Sequence, residues 1–417
     1  MAVPDKEELS ADIMLMFYKR LYPFKSIFNW LNHDLTPTPL FTHREFAFTL
    51  ANDAYLRYQS FNNAEDMKKQ VLAMNPTRFE IGPMYTAKPR DRKLLRPTAF
   101  TPQQRELVFD IDMTDYDPIR TCCSGADICR RCWGFITAAV KVLDSAIRDQ
   151  FGYEHLLWVY SGRRGIHLWI SDQEAMELAD DQRRAIVNWL SVVPPGKENG
   201  KKVNVRFGAR AAPACIKDAI EELKGIFSDL VLEDQDCFAS EEGFEALLKL
   251  IPDSSIAATL GEMWQSDPSR SSADKWNDIR SQIKKYEKNS RERTIMMNAL
   301  EDIVLQYTYP RLDAEVSKHR NHLLKAPFCI HPKTGRVCVP VDPADIDSFD
   351  PMKVPTVQQL LQELDAAAAS GTSEKEHDYE KTSLKAYVDM LDKHNTSIIN
   401  ESRRGKKLER AESDHTW

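Results

Sequence analysis

Apolar side chains recur along this chain at two spacings, one typical of helices and the other of strands. Over residues 5–32 the spacing is helical and predicts one or two helices, whose aromatic stripe we interpret as core. Two alternating segments, 45–50 and 54–58, are separated by an Asn-Asp pair and predict a β-hairpin. A second hairpin is predicted at 156–170, where two apolar strands flank a five-residue turn with two glycines.

The middle of the chain is mostly helical in pattern. Strand-like segments become rare after about residue 174 and return between 312 and 341. We therefore predict a mostly helical insertion over 179–302. The helical patterns in and after it fall at 181–193, 217–232, 242–251, 273–307, 356–368 and 383–393.

These elements predict an α/β (α+β) fold with a mixed sheet. The domain that carries the sheet would be discontinuous, with residues 1–178 and 303–417 on either side of the insertion. Residues 367–381 are small, polar and charged, and we expect them to lack fixed structure. With 417 residues and 42% apolar content, the chain can bury a large core.

Charge and hydropathy exclude two classes of protein. The formal net charge is -7, from 56 basic and 63 acidic residues, so a uniformly basic nucleic-acid coat is excluded. A polyanion would have to be bound by local clusters of Lys and Arg, and basic stretches occur at 88–96 and 403–407. No apolar run approaches the ~20 residues of a membrane span. The polar, acidic start of the chain is unlike a secretory leader, so we expect a soluble intracellular protein without a membrane partner.

Two acids stand on the most strand-like segment of the chain, residues 106–113. Strand periodicity directs Asp110 and Asp112 to the same face. At about 6.6 Å between their Cα atoms, two bare carboxylates would repel by roughly 2–3 kcal/mol at an effective dielectric near 20. A shared Mg²⁺ or Mn²⁺ would reverse that sign. From this segment alone, a metal site and the wet face of an ordinary sheet are about equally good interpretations.

Four of the eight cysteines lie within eleven residues. Cys122 and Cys123 are adjacent, and Cys129 and Cys132 follow in a C-x-x-C arrangement. Four thiolates can hold Zn²⁺ in a tetrahedron, although the adjacent pair departs from the usual doublet spacing. The alternative, buried free cysteines, requires a clustering that chance rarely gives. No water-activating base stands out nearby, so we predict a structural zinc site.

The turn of the second hairpin has the residue types of a phosphate site. Its glycines allow close backbone approach, and Arg163 and Arg164 offer planar donors suited to phosphate oxygens. Taken alone, an exposed basic hairpin tip is a slightly better interpretation. A later segment adds Asp313, predicted to lie on a strand, together with Lys325 and His331, which would complete a site for metal and triphosphate.

These segments together resemble the small catalytic subunit of archaeal-eukaryotic DNA primase, in its eukaryotic nuclear form. The resemblance covers roughly residues 10 to 350 in the same order. The strings that carry it are HREF at 43–46, RYQSFN at 57–62, ELVFDIDMTDYD at 106–117, CCSGADIC..CW at 122–133, WVYSGRRGIH at 158–167 and PRLDAEVSKHRNHLLKAPFCIHPKTGR at 310–336.

The resemblance implies a primase catalytic core with a helical insertion and a role for particular residues. It implies a catalytic triad of Asp110, Asp112 and Asp313 that holds two Mg²⁺ or Mn²⁺ ions. It implies one structural zinc bound by Cys122, Cys123, Cys129 and Cys132. The residues that it places around the incoming nucleotide are Glu45, Arg57, Ser161, Arg163, Arg164, His167, Lys325 and His331.

The resemblance also implies the reaction: two-metal transfer of ribonucleotides onto a short RNA primer, copied from single-stranded DNA. The implied partners are a large primase subunit and the replicative DNA polymerase alpha assembly, in the nucleus. Three other hypotheses remain open: a repair or translesion primase-polymerase that uses deoxynucleotides, a two-metal phosphohydrolase, and a non-catalytic zinc-bearing scaffold that binds nucleic acid or protein.

Overall fold

A computed structural model describes residues 9–193, 203, 205–206, 212–369 and 377–414 of the chain. The helices are α1 (Ala11–Arg20), α2 (Phe24–Asn32), α3 (Pro39–Thr42), α4 (Ala64–Met74), α5 (Arg130–Phe151), α6 (Gln173–Glu177), α7 (Asp180–Leu190), α8 (Ala214–Phe227), α9 (Glu241–Leu248), α10 (Ser254–Ser266), α11 (Ser272–Ile283), α12 (Arg291–Thr308), α13 (Ala314–Lys318), α14 (Val357–Ala369) and α15 (Lys385–Asp414). The strands are β1 (Arg44–Thr49), β2 (Tyr55–Gln59), β3 (Arg78–Tyr85), β4 (Pro102–Gln104), β5 (Leu107–Asp112), β6 (Leu156–Tyr160), β7 (Gly165–Ile170), β8 (Leu324–Lys325) and β9 (Pro340–Val341).

The strands form two sheets. The first has the order β2-β1-β3-β4, with β8 also paired to β3, and the second has the order β5-β7-β6-β9. Every pairing between these strands is antiparallel, so the prediction of a mixed sheet is wrong. The reason is the connections: tight hairpins join β1 to β2 and β6 to β7, and a tight hairpin can only link antiparallel neighbours. The class is therefore α+β, and both predicted hairpins are confirmed.

The second sheet is covered on both faces. On the face that carries Trp158 and Tyr160 it packs against α5, where the ring centroids of Trp133 and Tyr160 lie 5.7 Å apart. On the other face Trp169 meets Trp30 of α2 at 5.3 Å, and the Trp30 indole donates to Ser171 Oγ at 3.0 Å. This burial explains why β6 and β7 are mostly apolar, without the alternation of a half-exposed sheet; His167 is the one ionisable residue of β7.

Between residues 180 and 308 the described elements are helices, from α7 to α12, with a short π-helix at Ser228–Asp234. The predicted helix over 273–307 is in fact two helices, α11 and α12, and α10 was not predicted. This region packs on α5 of the sheet-bearing part. The approach is close at Gly134 of α5, where a Cβ would lie 2.7 Å from a methyl carbon of Leu230.

The last part of the chain differs from its prediction in two ways. Only β8 and β9 are strands between 312 and 341, because most of that segment is irregular or belongs to α13. Part of the stretch expected to lack structure is ordered: α14 reaches Ala369 and a 3-10 turn forms at Asp378–Lys381, while 370–376 lie outside the described residues.

The C-terminal helix α15 extends well beyond the predicted 383–393 and packs on α2, with Asn395 Nδ2 donating to the Ser26 carbonyl at 2.8 Å. In the described part of the chain no helix has the length and apolar content needed to cross a membrane.

Candidate active site and cysteine cluster

Asp110 and Asp112 project from the same face of β5, which is an edge strand of the second sheet. Their register partners on β7 are His167 and Gly165. The carboxylate of Asp112 is fixed by two neighbours: it accepts from the Thr114 backbone N–H at 2.8 Å and from the Thr114 hydroxyl at 2.7 Å, and Arg164 Nε lies 2.8 Å from its Oδ1. The side chain of Arg164 therefore points toward these acids.

Asp313 follows the helical region in the sequence but lies next to Asp110 in the fold. It does not lie on a strand, as predicted, but is the N-cap of the short helix α13, where its side chain accepts from the Glu315 N–H at 3.0 Å. Its own N–H donates to the Asp110 carbonyl at 3.0 Å. The hydroxyl of Ser317 also donates to the Val108 carbonyl, so α13 is attached to β5 at two points.

The pKa values of Asp110 and Asp115 are raised at this site. Burial, and then the charges of Asp112 and Asp313, raise the pKa of Asp110 to about 7. Asp115, which sequence reasoning missed, belongs to the same electrostatic group, since burial and the same two charges raise its pKa to about 6. Its place in the acidic run DIDMTD was the available signal. Such mutual repulsion favours occupation by a cation.

The turn between β6 and β7 is held in a fixed shape beside these acids. Ser161 Oγ accepts from the Gly165 N–H at 3.0 Å, and the Tyr160 hydroxyl donates to the Arg163 carbonyl at 3.0 Å. Gly162 has a φ of 85°, and a Cβ at this position would lie 2.7 Å from the Cβ of His331. Both the left-handed backbone and the close contact therefore require glycine.

Lys325, His331 and His167 surround this turn. Lys325, on β8, extends from the first sheet to the second, where its ammonium donates to the Ser161 carbonyl. Burial, and then the charges of Lys325, Arg163 and Arg164, lower the pKa of His331 to about 3. Burial and Lys325 likewise lower the pKa of His167 to about 3. Both imidazoles are therefore neutral near pH 7, and the cations supply the positive charge.

His167 is more enclosed than a residue that contacts an open triphosphate site. Its side chain is 7% exposed, its Nε2 lies 3.5 Å from Asp110 Oδ1, and its buried Nδ1 has no hydrogen-bond partner among the described residues. His167 is therefore positioned to interact with Asp110 rather than with a ligand in an open site.

Glu45 and Arg57 belong to the first sheet. Buried Glu45 accepts from Arg57 Nε at 2.9 Å, from the Tyr58 N–H at 3.2 Å and from the Tyr85 hydroxyl at 2.9 Å. Arg57 Nη2 also lies 3.5 Å from the Asn321 carbonyl, on the segment between Asp313 and Lys325. Buried Glu45 therefore fixes the direction of the partly exposed Arg57, which reaches toward the segment between Asp313 and Lys325.

The chemistry of the acids fits a divalent cation, although their carboxylates are not fully gathered. Hard carboxylate oxygens and mutual repulsion favour Mg²⁺ or Mn²⁺. Within the described residues, the cysteine cluster alone gathers three or more ligand-type side chains whose ligand atoms all lie within 4.8 Å of one another. The three aspartates do not meet that spacing, and Asp112 is paired with Arg164.

The cysteine cluster has the donor set of a tetrahedral thiolate site. The Sγ atoms of Cys122, Cys123, Cys129 and Cys132 all lie within 4.8 Å of one another. Four thiolates on one Zn²⁺ are about 3.8 Å apart, given Zn–S bonds near 2.3 Å, so a small contraction would seat the ion. The cluster lies at the start of α5, whose N-cap is Cys129.

Two polar residues that sequence reasoning missed point at the sulfurs. Arg120 Nη1 lies 3.8 Å from the Sγ of Cys132, and Gln235 Nε2 lies 3.4 Å from that of Cys122. Gln235 comes from the end of the π-helix, and its side-chain oxygen also accepts from the Thr121 N–H at 2.8 Å. No local spacing in the sequence signals a contact across more than a hundred residues.

Comparison with known proteins agrees with this geometry. A family model described as DNA primase small subunit matches residues 109–343, more than half of the chain. The chain is 52% identical to the DNA primase small subunit of Schizosaccharomyces pombe over 357 residues, covering 86% of this chain and 78% of that protein. It is 40% identical to that of Saccharomyces cerevisiae over 409 residues, covering 97% and 96% respectively. The chain therefore belongs to the DNA primase small subunit family.

Proposed function

We propose that this chain is a DNA-directed RNA polymerase that synthesises short RNA primers on single-stranded DNA for replication. The observation that supports this most is the hydrogen bond from the Asp313 N–H to the Asp110 carbonyl. It attaches a third acid to the strand that carries the other two, and Arg164 of the neighbouring turn pairs with one of them, Asp112. Three acids beside several phosphate-type donors suit nucleotidyl transfer, and a binding scaffold has no need of that combination.

The nucleotide would lie in the cleft between the sheets. Arg163, Arg164 and Lys325, with the Ser161 hydroxyl and neutral His331, would hold its triphosphate. Their fixed positions would align the α-phosphorus with the primer hydroxyl and stabilise the charge that develops during transfer. Glu45 and Arg57 would line the opposite side of the cleft.

Asp110, Asp112 and Asp313 would hold two Mg²⁺ or Mn²⁺ ions, which activate the attacking hydroxyl and neutralise the departing pyrophosphate. When Asp112 contributes to this site, Arg164 becomes free to turn to the triphosphate. His167, buried against Asp110, would fix the direction of that carboxylate. Cys122, Cys123, Cys129 and Cys132 would hold one structural zinc, with Arg120 and Gln235 supporting the thiolates.

The proposed division of the chain keeps 1–178 and 303–417 as a discontinuous catalytic domain and 179–302 as a helical subdomain. The contact of Gln235 with the cysteine cluster gives this subdomain a link to the catalytic part. We propose the same assembly as for the family: a large primase subunit, the DNA polymerase alpha complex, and a nuclear location.

De novo synthesis on a single-stranded template, with labelled ribonucleotides and with or without an added large subunit, tests the proposal. We expect short RNA products and released pyrophosphate. Asp112→Asn should abolish synthesis with little change in thermal stability. Near-normal synthesis in that variant would refute the metal-site assignment. Preferred incorporation of deoxynucleotides would favour the translesion alternative, release of inorganic phosphate would favour a phosphohydrolase, and binding without any product would favour a scaffold.

A further inference from the structure

A strongly basic loop lies beside the candidate active site and has no part in the functions described so far. This basic loop comprises residues 88–96, and its cations other than Lys88 are exposed. It stands out because the chain as a whole has a net charge of -7. Its charged residues are Lys88, Arg90, Arg92, Lys93 and Arg96, against the single acid Asp91.

The basic loop is anchored on its protein side. Residues Pro89–Leu94 form a 3-10 turn, and the guanidinium of Arg92 lies 4.2 Å from the centroid of the Tyr58 ring. Arg90 Nη2 donates to Asn62 Oδ1 at 2.8 Å. Arg90 and Arg92 are therefore held against the protein, and they fix the backbone of the loop that carries Lys93 and Arg96.

Tyr58 connects the basic loop with the cleft. It has a φ of 63°, unusual for a residue with a side chain, and its N–H donates to Glu45 Oε1 at 3.2 Å. The guanidinium of Arg57 lies 4.9 Å from the same ring and also approaches the Asn321 carbonyl, at 3.5 Å. Arg92, Tyr58, Arg57 and Asn321 thus form one polar strip from the basic loop to the segment between Asp313 and Lys325.

Apolar surface accompanies these charges. Leu94 is 85% exposed and lies between the cations of the basic loop. Further along the chain, partly buried Phe100 stacks on buried Tyr85, with ring centroids 4.0 Å apart and planes 6° from parallel, and this pair supports the base of the loop. A ligand with anionic groups along its length and flat apolar faces between them would contact both the cations and exposed Leu94, and single-stranded nucleic acid has that chemistry.

We propose that the basic loop binds the phosphate backbone of the single-stranded template next to the catalytic cleft. This inference rests on the proposed function and adds to it the surface that the template uses. Lys93 and Arg96 are the contact residues of choice, since among the described residues neither forms an ion pair or a side-chain hydrogen bond. Arg92, stacked on Tyr58, orients the loop.

The test is a comparison of two charge-reversal variants of the full chain. K93E/R96E changes the basic loop, and R403E/R404E makes the same change on the exposed basic stretch of α15, as a matched control. Binding of fluorescein-labelled oligo(dT) is measured by anisotropy across a salt series. Loss of two phosphate contacts should weaken binding about tenfold at low salt and flatten the slope of log affinity against log salt by about 1.4. The control should change affinity less than twofold.

Primer synthesis separates this inference from the proposed function. K93E/R96E should raise the KM for template while the rate at saturating template stays near that of the wild type, and K93Q/R96Q should show a smaller effect of the same kind. If K93E/R96E binds oligo(dT) as the control does, the inference is wrong even where synthesis is normal. Equally tight binding of a duplex of the same length would also overturn it. If the wild type makes no product, the proposed function fails, whatever the binding result.

Discussion

Replacing Asp110 by Asn should stabilise the ion-free protein at neutral and higher pH while it removes activity. The pKa of Asp110 is raised to about 7 by burial and by the charges of Asp112 and Asp313, against about 3.9 in an unfolded chain. Between these two values the folded protein keeps a proton that the unfolded chain has lost. The free energy of unfolding therefore falls as pH rises from about 4 to about 7, and then levels off.

The magnitude follows from the size of the shift. About three pKa units correspond to about 4 kcal/mol. The Asp110 side chain remains 27% exposed, so solvent screening reduces this, and we take about half, or about 2 kcal/mol. This change is spread from about pH 4 to about pH 7, so roughly two thirds of it falls between pH 5 and pH 8. Asp110→Asn should therefore gain about 1–2 kcal/mol relative to the wild type over this interval.

Urea unfolding followed by tryptophan fluorescence, at pH 5 and pH 8 without added Mg²⁺ or Mn²⁺, measures this difference. A chelator is avoided because it would compete with the cysteine cluster for zinc. Asp229→Asn, at an exposed position, is the matched control and should show no such pH-dependent gain. Added Mg²⁺ at pH 8 should stabilise the wild type more than Asp110→Asn. A pH-independent difference, or a variant that loses stability relative to the wild type as pH rises, would refute the reasoning.

Three further substitutions test other parts of the molecule. Arg163→Ala should raise the KM for ribonucleotides more than it lowers kcat, because phosphate binding is already made in the ground state; an unchanged KM in steady-state assays would contradict the phosphate site. Cys129→Ser should release zinc and lower the thermal midpoint, whereas Cys215→Ser, outside the cluster, should keep the metal; metal analysis that finds no zinc in fresh wild-type protein would refute the site. Glu106→Gln should cost about 3–5 kcal/mol in urea unfolding, because it leaves the Arg44 guanidinium buried without its charged partner; a loss below about 1 kcal/mol would show that Arg44 finds other acceptors.

Sequence patterns predicted the elements whose signals are local. The two hairpins follow from short turns between apolar strands, and the shared face of Asp110 and Asp112 follows from strand periodicity alone. The cysteine cluster is equally local, since all four residues lie within eleven positions. The mixed sheet was wrong because strand direction depends on how distant segments return to a sheet, and period-two patterns are the same in parallel and antiparallel strands.

The candidate site likewise combines features that have a local signal in the sequence with features that depend on the fold. The turn of five residues offered Arg163 and Arg164 as candidates, although by itself it slightly favoured an exposed basic tip, and the pairing of Arg164 with Asp112 depends on the register between β5 and β7. Asp115 lay within a recognised acidic run, yet its raised pKa comes from burial that only the folded chain provides. Gln235 had no signal at all.

By itself, the sequence determined which side chains could take part: acids spaced for one strand face, a glycine-bearing turn with two arginines, and four clustered thiols. Only the tertiary structure decided that Asp313, some two hundred residues from Asp110, meets it through a backbone hydrogen bond, and that Lys325 extends from one sheet to the other. Local spacing follows from the geometry of the backbone, whereas contacts over such separations depend on the packing of the whole core.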